Sequence, residues 1–197
     1  VNQEGNDGFL VDESYEAGDL LRAMLVKSSN DAAYALSMWL QKYVNVSDPA
    51  WFVNEMNLFA SRLGLPKTYF LNPSGLDINS HLAGAYSTAL ETANLFLWLI
   101  KNRSVIISST AEPQIAVYSS QGKKHVFESV ALPLMTIPGL IAVKTGYTDL
   151  AGGNAAFSFG AGPGHQFVAV VLGSSYEGRF SDAIKIYKAV LEYVSSL

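Results

Sequence analysis

The sequence predicts an α+β fold in which helices come first, antiparallel strands follow, and one helix closes the chain. Apolar residues recur at helical spacing in several separate stretches between residues 17 and 100. From about residue 112 the pattern changes to short apolar runs separated by polar and glycine-rich turns. Helical spacing then returns between Phe180 and Val194, which predicts a covering helix.

The first half of the chain carries signals for a series of helices. Apolar residues on one face predict a helix over 17–26, and a second is expected over about 31–43. A third helix is bounded more clearly, with Asp48 as its cap, Pro49 at its first helical position and Gly64 at its end.

A fourth helix is predicted from a T-x-x-E capping box formed by Thr88 and Glu91. The strands follow this helix. A hairpin is expected around the polar loop 119–123, and a later turn at 160–164 joins two further strands. The predicted strands cover residues 115–118, 125–127, 140–145, 154–159 and 167–172, and the short connections between the last three predict that they form one antiparallel sheet.

Composition excludes several classes of function. The formal charge of −4 and the absence of a run of Lys or Arg argue against nucleic acid and anionic membrane surfaces as partners. The chain has no cysteine, which excludes a disulfide scaffold and a thiolate nucleophile. The histidines are far apart in sequence, so we expect neither a metal site nor a cofactor; they are His81, His125 and His165.

Two short motifs carry candidate chemistry. An S-x-N occurs at residues 28–30 between two predicted helices, and a K-T-G occurs at residues 144–146 at the end of a strand. These motifs occur together with S-x-x-K in β-lactamases and penicillin-binding proteins. Either motif alone is weak, because an S-x-N before a helix is more often simply a helix cap.

The surroundings of both motifs make the match specific. The runs occur in one order along nearly the whole chain, and together they resemble the low-molecular-weight penicillin-binding proteins, which are serine-type D-alanyl-D-alanine carboxypeptidases. The matching runs are S-S-N-D-A-A at 28–33, M-N at 56–57 with L-G at 63–64, F-L-N-P-S-G-L at 70–76, Y-S-T-A at 86–89, and K-T-G-Y-T at 144–148 followed by A-G at 151–152.

The resemblance implies a β-lactamase/transpeptidase-like fold, with an antiparallel sheet and a helical lobe. It also implies a peptidoglycan D,D-carboxypeptidase that removes the terminal D-alanine of stem pentapeptides through an acyl-serine, with β-lactams as inhibitors. Such an enzyme acts outside the cytoplasm, in the periplasm or on the outer face of the membrane. Two alternatives stay open: a non-catalytic member that only binds peptidoglycan peptides, and a β-lactamase of the same fold.

The strand residues have physical roles that suit this substrate. Lys144 supplies a cation for the terminal carboxylate, and Thr145 can hydrogen-bond the same group. Gly146 allows a substrate backbone to approach the strand closely. By resemblance, the backbone N–H of Tyr147 donates to the oxyanion, Ser28 relays a proton to the leaving D-alanine, and Asn30 holds a substrate amide.

The chain departs from the family pattern at the nucleophile. The family's S-x-x-K opens a helix well before S-x-N, and residues 1–27 contain no such motif. One S-x-x-K does occur, from Ser120 to Lys123, but in a predicted hairpin. We therefore expect residues 1–197 to form one penicillin-binding domain that is N-terminally incomplete. We also expect the chain alone to be inactive and unlabelled by penicillin.

Incompleteness has a consequence for the sheet. In the related folds the N-terminal stretch supplies strands of the central sheet, so the strand ending near Leu172 is expected to have an open edge. We expect a separate N-terminal segment or a partner chain to cover it. No run in the chain approaches the roughly 20 apolar residues that a membrane span needs, and a membrane anchor beyond Leu197 is left open.

Overall fold

A computed structural model describes residues 8–10 and 12–196 of the chain. The order of helices and strands is the α+β order expected from the sequence. The helices are α1 (Ala17–Val26), α2 (Asn30–Tyr43), α3 (Trp51–Arg62), α4 (Ala89–Asn102), α5 (Ser104–Ser108) and α6 (Gly178–Ser195). The strands are β1 (Tyr69–Phe70), β2 (Ala85–Tyr86), β3 (Gln114–Tyr118), β4 (Lys124–Glu128), β5 (Leu140–Thr148), β6 (Gly152–Gly160) and β7 (Gln166–Ser174).

The last three strands form one antiparallel sheet in the order β5-β6-β7, as predicted from their short connections. Successive side chains of the central strand β6 point to opposite faces. Phe157 and Phe159 pack with Phe180 of α6 on one face. Ala156 packs with Phe96 of α4 on the other face. Helices therefore cover both faces of the sheet, which holds β5 rigidly at its edge.

A second core joins the N-terminal helix to the β3–β4 hairpin. Ala23 and Val26 of α1 are fully buried against Ile115, Val117 and Phe127. This packing fixes the end of α1, and with it the short turn that leads into α2. The position of residues 28–30 thus depends on a strand pair about a hundred residues further along the chain.

Two predicted helix starts differ from the structure in detail. The third helix begins at Trp51, two residues after the expected Pro49. The Asp48 carboxylate instead accepts a hydrogen bond from the backbone N–H of Ala50 at 2.9 Å, which makes a turn before the helix. A short side chain of this type bonds its own backbone two residues on as readily as it caps a helix.

The T-x-x-E box forms only one of its two expected bonds. The Thr88 hydroxyl accepts from the Glu91 N–H at 3.2 Å, as predicted. The buried Glu91 carboxylate does not return to Thr88; it accepts from the backbone N–H of Lys67 and from the Thr68 hydroxyl. Glu91 therefore fastens the loop after α3 to the start of α4.

The far side of β7 forms an edge of the sheet within the described residues. Leu172 is partly exposed near its end. The structure does not contain a chain that pairs with this strand, so the expectation that another segment covers the edge stays a prediction. In the described part of the chain, no helix is both long and apolar enough to cross a membrane.

Candidate active site

A cavity of about 1070 Å³ lies where β5 passes the turn between α1 and α2. All six of the residues selected from the sequence line this cavity, although the two motifs are far apart in the sequence. They are Ser28, Asn30, Lys144, Thr145, Gly146 and Tyr147.

The contact that joins the two motifs is a hydrogen bond between side chains. The Lys144 ammonium donates to the Ser28 hydroxyl at 2.6 Å, across a sequence separation of 116 residues. This distance lies within direct hydrogen-bond reach. The S-x-N turn and the K-T-G strand therefore meet in one cavity.

Ser28 lies in a backbone conformation that is uncommon for a residue with a side chain. Its φ is +60°, in the left-handed region between α1 and α2. The next residue, Ser29, is buried, and its hydroxyl caps α2 by accepting from the Ala32 N–H at 3.0 Å. The S-x-N pattern therefore has two roles. Ser29 caps α2 and fixes the turn, and the Ser28 side chain contacts Lys144.

Lys144 lines the cavity, but its ammonium is enclosed by protein. Besides Ser28, it donates to the backbone carbonyl of Thr145 at 2.7 Å. Burial disfavours the charged form, and the positive charge of Arg179 acts in the same direction. Together they lower the pKa of Lys144 from 10.5 to about 8. An anion that entered the cavity would reverse this effect, because it would favour the ammonium.

The edge of β5 beyond Lys144 borders the cavity. Earlier in the strand the edge is covered, because the Val143 N–H donates to the buried Thr110 hydroxyl at 2.9 Å. Thr145 is buried, whereas Gly146 and Tyr147 are exposed. A Cβ built on Gly146 would meet no atom within 4 Å, so internal packing does not require a glycine there. The space beside Gly146 is available to a ligand.

A sequence profile described as D-alanyl-D-alanine carboxypeptidase matches residues 2–175, which is most of the chain. The chain belongs to this family. It is 33% identical over 165 residues to the D-alanyl-D-alanine carboxypeptidase DacB2 of Mycobacterium tuberculosis, covering 84% of this chain and 53% of the relative. It is 30% identical over 164 residues to DacF of Bacillus subtilis, covering 83% of this chain and 39% of the relative.

Solved structures of similar proteins agree with the fold. Penicillin-binding protein D2 of Listeria monocytogenes, in an ampicillin-bound form, matches with a TM-score of 0.73 and 33% identity, over 88% of this chain and 66% of that one. A mutant of the Streptomyces K15 DD-transpeptidase matches with a TM-score of 0.77 and 26% identity, over 92% and 70%. The transpeptidase-like α+β fold expected from the motifs is therefore confirmed. The chain spans about two fifths to one half of the length of the two curated carboxypeptidases.

Residues 70–76, the F-x-N-P-x-G-L run of this carboxypeptidase family, form another wall of the cavity. The Asn72 side chain organises the turn, because its oxygen accepts from the Gly75 N–H at 2.6 Å and its amide donates to the Leu76 carbonyl at 2.7 Å. Asp77 then accepts from the Leu150 N–H at 3.0 Å. This bond ties the turn to the loop that follows the K-T-G strand.

Arg179 is a residue of the site that the sequence reasoning missed. It lies near the start of α6, is buried and lines the cavity. Its guanidinium packs over the rings of Tyr176 and Phe180 and donates to the Tyr176 carbonyl at 2.6 Å. Its Nε atom is buried without a hydrogen-bond partner in the described structure. A cation in the first turn of a helix opposes the helix dipole, and this conflict was the signal available in the sequence.

The only S-x-x-K in the sequence lies outside this site. Ser120 and Lys123 are exposed in the β3–β4 hairpin, as expected for a solvated turn. The Lys123 ammonium lies 3.5 Å from the Glu13 carboxylate. Within residues 8–10 and 12–196, no group of three or more acidic, His or Cys side chains is arranged to hold a metal ion.

Proposed function

We propose that this chain forms the substrate-binding and proton-transfer part of a serine-type peptidoglycan D,D-carboxypeptidase. The enzyme removes the terminal D-alanine of stem pentapeptides through an acyl-serine. The observation that carries the proposal is the Lys144–Ser28 hydrogen bond at 2.6 Å beside the open edge of β5. Family membership supports the reaction type.

The positive groups in the cavity suit a substrate that ends in a carboxylate. Lys144 binds the carboxylate as an ammonium, and the Thr145 hydroxyl donates a hydrogen bond to it. Arg179 adds a second positive charge on the same cavity. Charge-assisted hydrogen bonds of this kind are stronger than those between neutral groups.

The backbone of β5 positions the rest of the peptide. The substrate adds to the exposed edge as an extended strand, and Gly146 leaves room for its backbone. The Tyr147 N–H donates to the oxyanion that forms during acyl transfer, a contact of the type worth roughly 2.7–4 kcal/mol. Asn30, the first residue of α2, lines the cavity and holds a substrate amide.

Ser28 transfers the proton that the leaving group needs. Ser28 lines the cavity and its hydroxyl accepts a hydrogen bond from Lys144, so it can pass a proton to the amine of the departing D-alanine and recover one from the ammonium. The proposal assigns the acylated serine to an S-x-x-K in a part of the protein that this chain does not span. The chain by itself is then a binding unit without peptidase activity.

The same cavity is proposed to bind β-lactams and to act outside the cytoplasm. Penicillin-binding protein D2 of Listeria monocytogenes was solved with ampicillin and with cefotaxime. A β-lactam presents a carboxylate near its reactive carbonyl, so Lys144 and Thr145 would bind that carboxylate as they bind the peptide's. Peptidoglycan stem peptides, the proposed substrates, lie on the outer side of the cytoplasmic membrane.

Calorimetric binding of N-acetyl-L-Lys-D-Ala-D-Ala to the 197-residue chain tests the proposal. We expect Lys144→Ala to weaken binding at least tenfold, which is the loss of one charge-assisted hydrogen bond. Lys124→Ala removes an exposed lysine of β4 and serves as the matched control, with unchanged affinity. The same peptide with a C-terminal amide should bind as weakly to the parent chain as the acid does to Lys144→Ala. Equal binding of acid and amide would refute the proposed carboxylate site.

A further inference from the structure

Ser28 and Lys144 have the geometry of a nucleophile and its base. The two side chains are in direct hydrogen-bond contact at 2.6 Å. A serine is a weak nucleophile until a neighbouring base can take its proton, and lysine serves as that base in some serine enzymes. The left-handed backbone at Ser28 and the cap formed by Ser29 hold the hydroxyl in this position.

The surroundings of Lys144 favour loss of its proton. The ammonium is enclosed, its hydrogen-bond partners are the neutral Ser28 hydroxyl and Thr145 carbonyl, and the charged group that acts on it is Arg179. With a pKa of about 8, roughly half of the molecules carry a neutral amine at pH 8. Other titratable side chains that line the cavity are Lys27, His81, Tyr86, Tyr147 and Tyr176.

We propose that Ser28, with Lys144 as its base, is itself acylated by small neutral activated esters, a reaction separate from peptide cleavage. Ser28 Oγ forms a bond to the acyl carbon of the ester, and its proton moves to Lys144 Nζ. The bond between the acyl carbon and the ester oxygen breaks, and the phenolate leaves with the electron pair. Water later hydrolyses the acyl-serine to release the acid and restore Ser28.

The charge of the ligand decides whether this reaction occurs. A carboxylate bound beside Lys144 and Arg179 stabilises the ammonium and keeps the proton on Lys144. A neutral ester leaves the amine free to act as a base. Penicillin and peptides that end in D-Ala-D-Ala are therefore expected to inhibit acylation of Ser28 without acylating it. This part of the inference rests on the proposed function.

The probe is p-nitrophenyl acetate, added to the 197-residue chain. Release of p-nitrophenolate is followed by absorbance, and the acetylated residue is located by peptide mass spectrometry. We expect an acetyl group on Ser28, formed at a rate that rises as the pH increases through about 8. Lys144→Arg keeps the positive charge but cannot act as a base, so it should slow acetylation of Ser28 about 100-fold.

Two further variants locate the reaction. Ser28→Ala should lose the acetylated peptide and the corresponding release of p-nitrophenolate. Ser120→Ala alters the exposed serine of the hairpin S-x-x-K and should react like the parent chain. Circular dichroism and thermal unfolding verify that each variant is folded, and location of the acetyl group in the parent chain is a test that needs no variant.

The results separate this proposal from the proposed function. Absence of acetyl on Ser28 in the folded parent chain, or acetylation that is equally fast in Lys144→Arg, overturns the ester reaction. Acetylation of Ser28 that N-acetyl-L-Lys-D-Ala-D-Ala suppresses supports both proposals. Acetylation that the peptide leaves unchanged still supports the Ser28–Lys144 pair as nucleophile and base, and counts against the carboxylate site.

Discussion

Two serine–lysine pairs among the described residues differ in what surrounds them. Ser120 and Lys123 are close in sequence, but they lie in an exposed hairpin where the lysine faces Glu13. Ser28 and Lys144 are 116 residues apart in the sequence, yet a hydrogen bond of 2.6 Å joins their side chains in a cavity. An S-x-x-K brings serine and lysine together only on a helix, where residues three apart lie on one face. Whether a serine and a lysine can act together therefore depends on the backbone conformation and the burial of the pair, and not on their spacing in the sequence.

The largest expected effect is on the reaction rates, and it distinguishes Lys144 from Lys123. In a version of the protein that also carries the upstream S-x-x-K, Lys144→Ala should lower the carboxypeptidase rate and penicillin acylation together, each by about 100-fold. The reason is that one cation serves the carboxylates of both ligands. Lys123→Ala is the control and should leave both rates unchanged. Steady-state kinetics and labelling with fluorescent penicillin measure the two effects, and normal acylation of Lys144→Ala would remove the role assigned to Lys144.

A smaller effect is expected on the affinity for the peptide when the pH is raised. The pKa of Lys144 in the free protein is lowered to about 8. Its ammonium is therefore lost as the pH rises through that value, and the affinity for a peptide carboxylate should fall by up to about tenfold for each further pH unit. Calorimetry at pH 7, 8, 9 and 10 measures the change. Lys144→Ala should lack this pH dependence, and Lys123→Ala should retain it; a flat profile in the parent chain contradicts the shift.

The smallest effect concerns one serine at each of the two turns. Ser29→Ala removes the cap of α2 and should lower the free energy of unfolding by about 1 kcal/mol. Ser120→Ala alters an exposed position and should change it by less than about 0.5 kcal/mol. Urea unfolding measures both values. Equal stability of the two variants would mean that the cap does not hold the turn beside Ser28.

Much of the fold could be predicted because its signals are local. Short apolar runs with short, glycine-rich connections predicted the sheet of β5, β6 and β7, and helical spacing predicted α6 packed on it. Local signals also account for the errors. Asp48 suited a helix cap but makes a turn before α3, and Glu91 suited a capping box but bonds Lys67 and Thr68. In each case the side chain accepts hydrogen bonds from groups other than the one that the capping pattern predicts.

The sequence by itself determined the family, since its short motifs occur in one order along nearly the whole chain. It also predicted which residues line the cavity: the serine before α2, the asparagine at its start, and the lysine, threonine and glycine of β5. Only the tertiary structure decided that Ser28 and Lys144 touch, that Arg179 joins them, and that the pKa of Lys144 falls to about 8. These properties depend on burial and on distances between segments that are remote in the sequence. The packing of the helices on the sheet sets both, and no local sequence pattern encodes them.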